Sequence, residues 1–204
     1  MTRGFSNAPI VATIATKLRR ANGALSKLRH FVPVNILVNV YHAVFASHTR
    51  YASQIWGLCD NSVTHRILTL QNMAMRLMSF SGPRTSATPL YAEIGVLKFF
   101  DQVKIMNILY IHKYLNKNLP IDSLNTLKFE KTNHSIRTRG NATGLLKLAN
   151  VNTTYYGLNS FTRLSSNQYN NLQRNFRHVS LNELKFSEVK SLATKSFFEK
   201  YTEQ

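Results

Sequence analysis

The sequence predicts a mainly α chain: a helical bundle followed by an irregular, partly extended tail and a last helix. Three observations predict it. Apolar residues recur near every 3.6 positions over most of residues 9–115, and stops rich in Gly, Pro and Asn separate these stretches. A hydrophobic fraction of 44% is enough for a core. The 204 residues suit one domain, or one domain with a loosely packed tail. Changes of texture divide the chain into residues 1–57, a basic helical pair; residues 58–127, helices packed on that pair; and residues 128–204, a polar segment ending in an amphipathic helix.

The first helix is expected from about Pro9 to His30, with Ile10, Ile14, Leu18, Ala21, Leu25 and Leu28 in one narrow stripe. Arg19, Arg20, Lys27 and His30 project from the opposite face, Lys17 and Arg29 flank the stripe, and Gly23 lies on the polar side. One face can dock while the other meets phosphates or only solvent. An interfacial membrane helix would carry Trp or Phe wedges at the boundary, and this face has none. Pro33 opens a second helix, Val34 to about Trp56, the most apolar of the chain, with Ile36, Leu37, Val40, Tyr41, Val44, Phe45, His48, Tyr51, Ala52, Ile55 and Trp56. Aromatics at this spacing point to core packing rather than a base-stacking platform. His42 and His48 stand six apart and miss the i, i+4 spacing of a helical metal pair.

After a turn at Gly57-Leu58-Cys59-Asp60 comes the organising helix, ending at Phe80. Val63, Ile67, Leu70, Ala74, Leu77 and Met78 face inward, His65, Thr69, Asn72 and Arg76 face outward, and Met73 and Met75 lie at the edges. Asn61 and Ser62 are candidate N-caps, and Ser81-Gly82-Pro83 is the stop, with Gly82 suited to the left-handed cap. A loop to Pro89, a short helix to Gly95 and a helix apolar over most of its surface from Leu97 to Leu115 follow, ended by Asn116-Lys117-Asn118-Leu119-Pro120. Between Lys128 and Asn167 periodicity vanishes, which predicts irregular chain anchored by Tyr155–Phe161. A last helix is expected over Asn182–Tyr201, carrying Leu184, Val189, Leu192, Phe197 and Phe198.

Charge bounds the function. The chain carries 26 Lys/Arg against 9 Asp/Glu, a net charge of +17 and a pI near 10.3. The excess is spread out, with 14 basic and 4 acidic residues up to position 127 and 12 and 5 beyond it. A diffuse positive field suits a protein that tracks a phosphate backbone, so nucleic acid is the expected partner. The same charge on a helical interaction module would serve solubility alone. The candidate contacts are Lys17, Arg19, Arg20, Lys27 and Arg29, with Arg66 and Arg76 as secondary candidates.

Chemistry is harder to find. Cys59 is the single cysteine, so no disulfide and no zinc knuckle forms within the chain, which fits an intracellular protein, nuclear or cytoplasmic. Arg3 ahead of Ala8-Pro9-Ile10-Val11-Ala12 is too short and too soon basic for a targeting peptide, and no stretch is apolar enough to span a membrane. The three sequons at Asn133, Asn141 and Asn152 are incidental to an Asn-rich segment. There is no Asp-Asp, Asp-x-Asp or Asp-x-Glu to hold two metal ions, and no glycine-rich nucleotide loop. Cys59 beside Asp60, a turn before His65, is too common a proximity to make a nucleophile and base. We expect no catalytic residue, metal, cofactor or small-molecule substrate.

Several stretches together resemble the region downstream of the polymerase palm in non-LTR (LINE-type, jockey/CR1-like) retrotransposon reverse transcriptases. Lys17–Pro33 is similar to a helix with a Gly-x-Leu-x-Lys-Leu-Arg core followed by Pro. Tyr41–His48 with Tyr51 and Ile55-Trp56-Gly57 resembles the Tyr-rich helix that ends in Trp-Gly. Leu70-Gln71-Asn72-Met73-Ala74-Met75-Arg76 looks like the family's Leu-Gln-Asn-Lys-Ala-Leu-Arg. His134 with Thr138-Arg139, and Tyr156-Gly157 with Asn159-Ser160, resemble its more variable end. The likeness covers about residues 17–201 and rests on the order and spacing of the pieces. It implies that residues 17–57 are thumb-like, lying along a template–primer duplex, and that a palm is the partner in a full-length element. The departures are Met73 in place of Lys, Tyr169-Asn170 in place of Trp-Asn, and no Tyr-x-Asp-Asp motif. They imply a truncated RNA-directed DNA polymerase without activity by itself.

Overall fold

A computed structural model describes residues 8–51, 53–56, 61–120, 129–130, 145–148, 150, 160–176 and 180–202. The turn with Cys59 and Asp60, the three sequons, Ala52, Thr138-Arg139 and Tyr155–Asn159 lie outside these residues, as do the side chains of Asn61, Ser62 and Val63. The described residues are mainly helical, as the periodicity predicts. They fall in two compact units, Met1–Val103 with Phe197–Gln204, and Lys104–Ser196.

In the first unit α1 (Ala8–Leu28) packs chiefly on α5 (Asn61–Met78). Val11, Ala15, Leu18, Ala21, Asn22 and Leu25 are buried. Ile10, expected in the stripe, is exposed instead, because Val11 and Ala15 take the inward positions of the first turns. The second expected helix is broken into pieces. α2 (Val34–Val40) runs into a π-helical turn at Tyr41–Ala46 and then α3 (Ser47–Arg50), and extended backbone at Tyr51 separates α4 (Ser53–Trp56). The wide π turn keeps Phe45 and Ala46 both on the buried side below Tyr41. The break puts Tyr51 and Ile55 into solvent, 81% and 71% exposed, and Ile36 and Val44 are exposed too, although the sequence places all four in the core. Trp56 is buried, stacked on Phe99 at 5.2 Å.

In α5, Ile67, Ala74, Met75 and Met78 are buried, so Met75 belongs to the core rather than to the edge. Gln71 is buried as well. Its amide Nε2 donates to the Tyr41 hydroxyl (2.9 Å) and the Leu97 carbonyl (2.9 Å), and Oε1 accepts from Phe99 N–H (2.7 Å). Gln71 thereby caps α7 (Phe99–Leu115) from the side, satisfying one of the amides a helix start leaves unpaired. On either side of it, the Leu70 carbonyl accepts from Asn22 (2.9 Å) and the Asn72 amide oxygen accepts from the Tyr91 hydroxyl (2.8 Å). Leu70-Gln71-Asn72 therefore ties α5 to α1, to the π turn, to α6 (Thr88–Ile94) and to α7.

Helix ends follow one pattern with different residues. Phe80, Gly95 and Lys117 have φ of 56°, 75° and 54°. Each is spanned by a closing backbone bond: Ser81 N–H to Arg76 O (3.0 Å), Val96 N–H to Tyr91 O (3.0 Å) and Asn118 N–H to Lys113 O (2.8 Å). The left-handed cap of α5 is thus Phe80 and not Gly82. A Cβ at Gly95 would meet nothing within 4 Å, so Gly95→Ala is expected to cost only the conformational penalty, ~1 kcal/mol. Lys117→Gly relieves the same penalty and is expected to stabilise by roughly 0.5–1 kcal/mol after the gain in unfolded-state freedom. Urea unfolding of both variants checks the opposite signs.

In the second unit, α8 (Phe161–Asn175) and most of α9 (Phe186–Thr202) accompany α7. α8 occupies chain expected to be irregular up to Asn167. Its inward face is polar: Ser165, Ser166, Asn170 and Gln173 are buried beside Tyr169 and Leu172. Asn170 pairs with both backbone groups of Leu146 at 2.8 Å, and Gln173 accepts from Leu181 N–H at 2.9 Å. Such a face is satisfied without hydrophobic period. α9 starts at Phe186 rather than Asn182, since Leu181–Glu183 form a turn.

Burial pushes the Tyr41 and Tyr169 phenols up to about 12 and raises Tyr91 and Tyr201 further, Tyr201 also through its bond to the Asp101 carboxylate (2.7 Å). Above pH ~10 the unfolded chain loses these protons first, so native stability is complete below that pH and falls as it rises. The urea midpoint is expected to drop from about pH 10 upward, and a flat profile would contradict the burial of these hydroxyls.

Candidate nucleic-acid interface

α1 forms because its residues alternate between buried small or aliphatic groups and exposed Thr, Lys and Arg at helical spacing. The exposed side holds Lys17, Arg19, Arg20 and Lys27. None of the four pairs with a carboxylate among the described residues, and the first acidic residue of the chain is Asp60. Lys17 to Lys27 spans ~15 Å of helix axis, the length over which one strand of a duplex carries about four phosphates. Gly23 lies exposed between Arg20 and Lys27 with open space where a side chain would be. A phosphate backbone can approach the helix there without meeting a side chain.

The other three candidates are placed differently. Arg29 is half-buried, its guanidinium 4.6 Å from the Phe80 ring centroid and its Nε buried without a hydrogen-bond partner. It braces the end of α1 against the cap of α5. Arg76 is half-buried and its Nε donates to the Thr85 carbonyl (2.8 Å), which pins the loop after α5. Arg66 is exposed on α5. The structure thus leaves five of the seven residues facing solvent and commits two to packing.

Sequence reasoning missed two exposed groups in the same unit. Phe31 is 84% exposed in the turn after α1, past the last stripe residue Leu28 and before Pro33, where no face exists to bury it. Arg50 is exposed and lies 3.4 Å from His42 Nδ1. Burial, with Arg50 beside it, lowers the His42 pKa, so this imidazole adds no charge near neutral pH. Lys98 is not available to a ligand, since its Nζ donates to Thr88 Oγ1 (3.0 Å) and sits 4.8 Å from the Tyr201 ring.

Among the described residues no three His, Cys, Asp or Glu side chains gather as metal ligands, and no helix is long and apolar enough to cross a membrane. No protein-family model, curated protein or solved structure compared with this chain matches it.

Proposed function

We propose that this chain is the thumb and post-palm region of a non-LTR retrotransposon reverse transcriptase, intracellular, inactive as a polymerase by itself, and that it binds an RNA–DNA or DNA duplex through α1. The observation that carries the proposal is the outward face of Arg19, Arg20 and Lys27, flanked by the exposed Lys17, all four without carboxylate partners among the described residues. The resemblance of Lys17–Pro33 and Tyr41–Gly57 to that family supports the thumb reading, and that of Leu70–Arg76 supports the region after it. Contacts of this kind read charge and not sequence. With four phosphates neutralised, affinity for a blunt RNA–DNA hybrid is expected to fall about 100-fold between roughly 50 and 200 mM salt. Filter binding measures it. Affinity that ignores salt would sink the proposal, and primer extension by the chain alone would sink its inactivity.

A second reading, a helical protein-interaction module whose charge serves solubility, is favoured by the exposed Ile36, Val44, Tyr51 and Ile55. In the family this surface would belong to the palm contact. Hybrid binding separates the two, because only the first requires it.

A further inference from the structure

The three described glycines differ in what the backbone asks of them. Gly95 has a left-handed φ of 75° and closes α6. Gly82 opens the turn after α5, its carbonyl accepting from Thr85 N–H (3.1 Å), and an added Cβ would touch Thr85 Oγ1 at 3.6 Å. Gly23 does neither. It lies inside α1 without a positive φ, and a Cβ there would meet nothing within 4 Å. Glycine inside a helix is destabilising against alanine, because it loses more chain freedom on folding and leaves backbone exposed to water. The fold of α1 therefore gains nothing from Gly23. Its turn is also fixed in place. Asn22 beside it is buried, Nδ2 donates to the Leu70 carbonyl of α5 (2.9 Å), and Ala21 and Leu25 are buried alongside.

What surrounds Gly23 gives the bare turn a use. Residues three and four positions apart are neighbours on a helix surface, so Gly23 has Arg19 and Arg20 on one side and Ser26 and Lys27 on the other. Arg19, Arg20 and Lys27 are exposed and pair with no carboxylate among the described residues. Along the axis Arg20 lies ~4.5 Å before Gly23 and Lys27 ~6 Å after it. Three cations thus surround an uncovered stretch of backbone, a shallow depression that a ridge of negative charge fits. Glycine is the residue that lets a ligand come up against the main chain. We propose that Gly23 is a positioning residue of the α1 interface: the sugar–phosphate ridge of a bound strand rests against the bare helix at Gly23, with Arg19 and Arg20 reaching phosphates on one side of the contact and Lys27 on the other. This contact presupposes duplex binding by α1 and adds a steric requirement to it, since charge alone would let the long side chains hold the strand away from the helix.

Gly23→Ala and Gly23→Leu in the whole chain, assayed with the blunt RNA–DNA hybrid, test the contact. Both are expected to raise the thermal midpoint, Gly23→Ala by ~2–4 °C, because alanine and leucine are better helix formers and the space is open. Both are expected to weaken hybrid binding, Gly23→Ala by ~3-fold and Gly23→Leu by ~10-fold or more, because each added group stands the strand off the helix. Stability and affinity then move in opposite directions, which a glycine needed only by the fold does not produce. The slope of log affinity against log salt is expected to stay at the wild-type value in Gly23→Ala, since no cation is removed. Wild-type affinity in Gly23→Leu would overturn the proposal, and a shallower slope in Arg19→Ala/Arg20→Ala would then still leave duplex binding by α1 standing. Parallel slopes for wild type and that double variant would remove the interface, and the contact with it. Gly23 variants that lose stability and affinity together would also overturn the proposal, because the glycine would then serve the fold.

Discussion

Gln71→Leu is expected to lower the unfolding free energy of the first unit by ~3–5 kcal/mol, the loss read as a fall in urea midpoint at unchanged slope. The side chains have similar volume, so no large cavity opens. What changes is the pairing of polar groups. Without Gln71 the Tyr41 hydroxyl, the Leu97 carbonyl and the first amide of α7 at Phe99 lose their partner together; the bonds to Tyr41 and Phe99 are fully buried and that to Leu97 is partly so. Each of the two fully buried groups left unsatisfied costs ~1–3 kcal/mol and the half-buried Leu97 carbonyl less, which together gives roughly 3–5 kcal/mol. Tyr41→Phe in the Gln71→Leu background removes one stranded group, and partial recovery of stability is the expected result. A loss of under about 1 kcal/mol for Gln71→Leu would mean the three bonds do not act as one joint.

Trp56→Ala is expected to cost ~3–5 kcal/mol. Trp56 is the single tryptophan, fully enclosed, parallel to Phe99 within 10°, with its indole Nε1 donating to the Tyr51 carbonyl at 2.7 Å. That bond also explains how the broken helix is held. The chain turns out at Tyr51, and the indole ties the turned residue back to the core. Trp56→Phe retains the ring contact and loses the bond to an exposed residue, so a cost of only ~1–2 kcal/mol is expected. Thermal unfolding followed by circular dichroism distinguishes the two, since the substitution removes the fluorescent probe.

The parts of the fold legible in sequence are those where burial and hydropathy coincide. The inward faces of α1, α5 and α7 repeat aliphatic residues at helical spacing, and Pro89 and Gly95 bracket α6 by backbone chemistry alone. α8 was illegible for a physical reason. Asn170 and Gln173 are buried because they mimic backbone for Leu146 and Leu181, and no period of apolar residues records that. The break at Tyr51 was hidden for the converse reason, since Tyr51 and Ile55 keep an apolar pattern while facing solvent. At the candidate interface, helical spacing gives the direction of Cβ, which was enough for Arg19, Arg20 and Lys27. It was not enough for Arg29 and Arg76, whose long side chains bend toward the Phe80 ring and the Thr85 carbonyl.

That separation of arginines allows the most direct test of duplex binding by α1. Slopes of log affinity against log salt for a blunt RNA–DNA hybrid are compared between wild type, Arg19→Ala/Arg20→Ala and Arg29→Ala. The double variant is expected to keep wild-type stability while its slope becomes shallower by ~2, about one for each phosphate that is no longer neutralised. Arg29→Ala is expected to lose ~1 kcal/mol of stability with the slope unchanged, because its guanidinium is spent on Phe80. Parallel slopes for wild type and the double variant would contradict the assignment of phosphate contacts to the exposed face of α1.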